Sequence, residues 1–156
     1  MPHGGGGDVP ARYFDTCALI LRYIPGPASE RVDELLASPG PHFTCRLGEV
    51  EMHSAAANYV RKGEISRLDF SLAMDVFKRD VADGLVKVVS VKNPRYSDAA
   101  RLIGRYGLDG ELGSQDAVHL AVALSLQACH PGLALVTLDV RLQTAAALVA
   151  MPVVVP

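Results

Sequence analysis

Leu133-Ala134-Leu135-Val136-Thr137-Leu138 is a continuous, largely apolar run that ends on Asp139 and follows the turn residues His130-Pro131-Gly132. Such a run reads as a strand buried on both faces, the kind found in parallel sheets covered by helices. The rest of the chain fits that frame. Short strands are expected at Arg12–Asp15, His42–Cys45, Leu85–Val91 and Val153–Val155. Helices are expected at 16–23, 29–37, about 47–62, 66–83, 97–106, from Gly113 to Leu124, and 140–149, with Gly84 and Gly107 as stops. Strands alternating with helices give an α/β fold around a parallel sheet.

At 156 residues the chain is long enough for one domain with a real core. Residues 1–10, with four consecutive glycines, are expected to be a flexible leader, and 11–156 the domain. A hydrophobic fraction of 49% with 21% charged residues excludes a disordered chain. No apolar run has the length of a membrane span, and no secretory signal precedes the domain. Three widely spaced cysteines (Cys17, Cys45, Cys129) suit reduced thiols in a cytoplasmic protein and lack zinc-site spacing. The net charge of −2 does not announce a nucleic-acid binder. Residues 61–105, however, hold ten Lys or Arg against six acids, a segment that either tracks phosphates or forms the solvated faces of helices.

Asp15 and Asp139 each end an expected strand, so both emerge on the edge where parallel sheets bind ligands. Asp116 lies in the first turn of a helix that is apolar on nearly every side (Leu120, Ala121, Ala123, Leu124). Glu49 follows the strand Phe43-Thr44-Cys45. Each acid alone is explained as a helix cap or a dipole partner. Together they would repel one another, and a divalent cation removes that conflict. All-carboxylate ligation favours Mg²⁺ or Mn²⁺, and such a metal suits phosphodiester hydrolysis. On its helix Glu49 shares a stripe with His53, Ala56 and Val60. Glu51 shares a wetter one with Ala55, Asn58 and Lys62, and so reads as an ordinary surface acid. No Walker loop, dinucleotide glycine pattern, HExxH or Gly-x-Ser-x-Gly is present. A dehalogenase-type phosphatase would need an acid where Cys17 stands.

Four stretches carry a resemblance. They are Tyr13-Phe14-Asp15-Thr16-Cys17-Ala18-Leu19-Ile20, Thr44-Cys45-Arg46-Leu47-Gly48-Glu49-Val50-Glu51, Asp116-Ala117-Val118-His119-Leu120-Ala121-Val122-Ala123-Leu124, and Val136-Thr137-Leu138-Asp139-Val140-Arg141-Leu142. In this order the chain resembles the PIN-domain ribonucleases, specifically the VapC-like toxins of toxin–antitoxin pairs. The resemblance implies a PIN-like three-layer sandwich with a central parallel sheet flanked by helices. It implies a Mg²⁺ or Mn²⁺ site formed by Asp15, Glu49, Asp116 and Asp139, with Thr137 as a polar neighbour. It further implies an endoribonuclease that dimerises and is inhibited by an antitoxin protein. The competing readings are a catalytically silent PIN scaffold that binds RNA or protein, and a phosphohydrolase acting on another phosphate ester. Lesser candidates are Thr16 at the first helix cap, Arg46 as a phosphate contact, His53 as a partner of Glu49, and His119 one turn after Asp116. The acidic, glycine-bearing stretch Leu108–Gly113 just before Asp116 departs from the family pattern and leaves open whether Asp109, Glu111 or Glu51 joins the site.

Overall fold

The computed structural model describes residues 9–156, so most of the expected leader lies outside the described residues. Five parallel strands form one sheet: β1 (Arg12–Phe14), β2 (His42–Cys45), β3 (Lys87–Val89), β4 (Ala134–Val136) and β5 (Val153–Val154), in the order β3-β2-β1-β4-β5. Seven α-helices flank it: α1 (Thr16–Leu19), α2 (Ser29–Ala37), α3 (Arg46–Arg61), α4 (Arg67–Ala82), α5 (Asn93–Tyr106), α6 (Ser114–Gln127) and α7 (Val140–Leu148). This is the three-layer α/β sandwich with a central parallel sheet that the sequence implies. Among the described residues no helix is long and apolar enough to cross a membrane.

Strand alternation builds two cores. Tyr13, Phe43, Cys45 and Leu135 point to one face and pack against Leu120 of α6 and Leu142 of α7. Phe14 and Val136 point to the other, against Leu19, Val32, Met52 and Phe77. Helix α6 is buried over Ala117–Ala123, as its all-round apolar sequence requires. Ser66 and Asp69 cap α4 reciprocally, and Gly84 beyond its end takes the left-handed conformation at φ +79°. On the outer side of α4, Leu68, Leu72 and Val76 stand exposed at four-residue spacing.

Some boundaries differ from the sequence reading. Helix α5 starts at Asn93, not at Ser97, because Pro94 at its first turn suits a helix start, where the missing N–H costs nothing. Strands β3 and β4 are shorter than their apolar runs, since hydrogen-bonded pairing stops before the side chains cease to be buried. The first helix passes into a 3₁₀ turn at Ile20–Arg22.

Candidate active site

The strand order reverses at β1: the chain lays β2 and β3 on one side of it and then β4 and β5 on the other. In an open α/β sheet this switch point, at the carboxyl ends of the strands, is where ligands bind. Asp15 follows β1 there, and Thr137 and Asp139 follow β4. Asp15 is 4% exposed. Its Oδ1 caps α1 by accepting from the Ala18 N–H at 3.1 Å, and its Oδ2 accepts from the Thr137 hydroxyl at 2.5 Å. The Cys17 thiol lies 3.1 Å from Oδ1 and donates to the same carboxylate. Thr137 also accepts from the Asp139 N–H at 3.0 Å, so one hydroxyl ties both strand ends together. Asp139 caps α7 through the Arg141 and Leu142 N–H groups. Burial raises the Asp15 carboxyl above its ordinary range, against the lowering effect of these bonds. Burial and the Asp15 charge push the Cys17 thiol up to about 12, which keeps it protonated and a poor nucleophile.

Asp116 is half-buried in the first turn of α6. Burial raises its carboxyl, and the charges of Asp139, Asp15 and Glu51 raise it further. These four carboxylates therefore form one electrostatic neighbourhood. Among the described residues, no three His, Cys, Asp or Glu side chains lie close enough together to enclose a metal ion.

Glu49 does not join this neighbourhood. It pairs with Arg46 at 2.5 Å on the outside of α3, so Arg46 is also occupied away from the acids. His53 bonds the Glu49 backbone carbonyl at 2.8 Å, not its carboxylate, and its ring packs edge-on against Phe70. Two residues on, Glu51 turns to the other side of the helix. Its Oε2 accepts from the Thr16 hydroxyl at 2.7 Å and from His119 Nε2 at 2.5 Å. The sequence reading has Glu49 as the site acid and Glu51 as a surface acid; the structure turns Glu49 outward onto Arg46 and places Glu51, on the wetter stripe of α3, at a groove. Thr16 lines that groove as the first residue of α1, while Asp15, not Thr16, caps the helix. Asp109 is exposed, and Glu111 forms a surface pair with Arg141 at 2.8 Å.

His119 is 2% exposed, and its Nδ1 meets the Tyr13 hydroxyl at 2.8 Å. Burial works to lower its pKa, but the Cys45 thiol and the Glu51 carboxylate outweigh burial and push it up to about 10. Glu51 is correspondingly held below its usual range, the bonds from His119 and Thr16 overcoming the effect of burial. Gly48 makes room for this arrangement. A Cβ there would lie 2.7 Å from Thr44 Oγ1, 3.3 Å from His119 Cε1 and 3.5 Å from Thr16 Oγ1. Gly48→Ala is expected to destabilise the fold by about 1–3 kcal/mol, because the added Cβ would overlap the side chain of Thr44, which is fully buried. Urea unfolding of the purified variant measures that loss.

The groove beside Glu51 has a volume of about 770 Å³ and is lined by Thr16, Cys17, Ser54, Asn58, Arg61 and Lys62, with Gln115 and Leu138 opposite. Of the ten basic residues in 61–105, Arg61 and Lys62 line it. A second cleft of about 670 Å³ between α5 and α6 holds Arg95, Arg101 and Arg105, but none of the four acids lines it. The first groove is lined by Glu51 itself and by the chain neighbours of the other three acids, Thr16, Gln115 and Leu138, so it is the one relevant to chemistry.

An open parallel sheet with buried and half-buried carboxylates at its switch point defines the protein as an α/β protein with an acidic site. It belongs to the PIN domain family, whose model matches residues 12–148. Solved structures of the same fold include FitAcB from Neisseria gonorrhoeae, 17% identical, with a TM-score of 0.62 and coverage of 93% of this chain and 97% of that one. VapC20 of Mycobacterium tuberculosis, a toxin that cleaves the sarcin–ricin loop, is 18% identical, with a TM-score of 0.64 and coverage of 86% and 94%. VapBC2 from Rickettsia felis, bound to a DNA fragment of its promoter, is 13% identical, with a TM-score of 0.63 and coverage of 92% and 97%. No curated protein matches the chain significantly.

Proposed function

We propose that this protein is a divalent-metal-dependent endoribonuclease and the toxin of a toxin–antitoxin pair. The observation that carries the reading is the placing of Asp15 and Asp139 at the carboxyl ends of β1 and β4, with Asp116 and Glu51 in the same electrostatic neighbourhood: burial raises the Asp116 carboxyl, and the charges of Asp139, Asp15 and Glu51 raise it further. A cation relieves that repulsion, and the donors are all carboxylate oxygens, the set that suits Mg²⁺ or Mn²⁺. The residues that would hold it are Asp15, Asp116, Asp139 and Glu51, whose side chains would have to draw in around the ion, since as they stand no three of them are near enough to enclose it. When bound, it would activate water and neutralise charge developing on a phosphate. The protein's own groups prepare the place. Thr137, Cys17 and the Ala18 N–H hold Asp15 from one side. The groove offers Ser54 and Asn58 as hydrogen-bonding groups and Arg61 and Lys62 as cations for a phosphate backbone. The solved structures of the same fold support a toxin role, since they include toxin–antitoxin assemblies. We take RNA as substrate, an antitoxin as inhibitor, a homodimer as the assembly and the cytoplasm as its place.

The test is cleavage of a pool of structured RNAs by the purified protein with Mn²⁺, with Mg²⁺ and with EDTA. Cutting is expected with either metal, and its loss is expected in EDTA, in Asp15→Asn and in Asp116→Asn. Full activity of Asp116→Asn would remove the site assignment. RNA binding without cutting, indifferent to EDTA, would make the protein a binding module. Hydrolysis of a chromogenic phosphate ester with RNA left intact would move it to another substrate class.

A further inference from the structure

Glu51 is held by a chain of side chains drawn from three elements. Tyr13 of β1 bonds His119 Nδ1, and His119 Nε2 bonds Glu51 Oε2. Thr16, on α1, bonds that same oxygen. An ionised carboxylate only accepts, so Nε2 carries the hydrogen of its bond. Among the described residues Oε1 accepts no hydrogen bond, so one oxygen of Glu51 is anchored and the other is free at the groove. The ring has no freedom of its own. It is buried in the covered stretch of α6 and meets Tyr13 edge-on, with ring centroids 5.8 Å apart. Gly48 leaves the space it occupies.

We propose that His119 is a positioning residue: clamped by Tyr13, it fixes the Glu51 carboxylate in the orientation in which its free oxygen serves the acidic site. The inference rests on the proposed metal-dependent nuclease reading. A glutamate side chain ordered in advance does not lose its rotamer freedom when it takes a ligand. Partners that orient a ligand in this way are worth about 10–100-fold in metal affinity or activity.

Four variants test it: His119→Ala, His119→Gln, Tyr13→Phe and Glu51→Gln. Mn²⁺ binding is read by calorimetry, and RNA cleavage gives kcat and KM separately. His119→Ala is expected to weaken Mn²⁺ binding and lower kcat, each by about 10–100-fold, with KM for RNA nearly unchanged. His119→Gln, which keeps an N–H donor of similar reach, should recover most of the loss. Tyr13→Phe keeps the shape of the core and should lose less, in the same direction. Because it keeps that shape, it decides the matter even where His119→Ala fails to fold. Folded His119→Ala or Tyr13→Phe with wild-type Mn²⁺ affinity and kcat would overturn the proposal. In the metal-free protein, the ¹⁵N signals of the His119 ring should move in Glu51→Gln. Unmoved signals would overturn the positioning role independently of any activity. A wild type that binds no Mn²⁺ while those signals do move would overturn the nuclease reading and leave the Glu51–His119 pair standing.

Discussion

Glu51→Gln is expected to lower RNA cleavage by about 10³-fold at saturating Mn²⁺, the equivalent of several kcal/mol of lost charge stabilisation. Glu49→Gln is expected to stay within about twofold of wild type, because exposed ion pairs such as Arg46–Glu49 are worth little. The contrast follows from helix geometry. Two residues along a helix turn through about 200°, so Glu49 and Glu51 face opposite ways and one of them alone meets the groove. Both substitutions are nearly isosteric and sit on α3, so circular dichroism should show the same helix in each. Single-turnover cleavage under identical metal and salt conditions makes the comparison. Strong loss in Glu49→Gln with activity kept in Glu51→Gln would reverse the assignment.

Asp116→Asn is expected to abolish cleavage and yet to stabilise the metal-free protein at neutral pH. The Asp15 and Asp116 carboxyls are raised in the folded chain above their ordinary value of 3.8. The native state therefore holds their protons more tightly than the unfolded state. The stability they contribute is complete below pH 3.8 and is lost as pH rises through the folded values. Above those folded values the metal-free wild type bears that loss in full. Removing the Asp116 charge removes part of it, so in EDTA the variant should melt above the wild type. Glu51 is shifted the other way but is present in both proteins, so it largely cancels in the comparison. Thermal unfolding in EDTA from pH 4 to pH 8 should show the gap between variant and wild type widening with pH. Added Mn²⁺ should raise the Tm of the wild type and leave the variant nearly unmoved. A variant less stable than wild type at pH 7 in EDTA would mean that no repulsion acts on Asp116.

The layered α/β fold was legible because its signals are local. The apolar run before Asp139, the all-round apolar α6 and the glycine after α4 each have one physical reading. Asp15 and Asp139 were legible as strand ends, since a parallel sheet sends its strand ends to a common edge. The acid on α3 was not. Burial pattern separates a dry stripe from a wet one, but a polar groove and open solvent leave the same mark on a helix. Glu51, Asn58 and Lys62 were therefore read as facing water when they line the groove. The role of His119 was equally hidden. It depends on contacts across 68 positions to Glu51 and 106 to Tyr13. The available hint was a histidine inside an otherwise apolar helix, which needs a buried partner.

The Thr137–Asp15 bond joins residues 122 positions apart. A chain emerging from the ribosome at roughly 5–20 residues per second exposes Asp15 many seconds before β4 exists to pair with β1. Until then the first acid has neither its hydroxyl donor nor the neighbouring strand that buries it. The order of synthesis thus acts as a timer: the acidic edge is complete only once β4 has left the ribosome, and under the nuclease reading proposed above a shorter chain leaves RNA uncut.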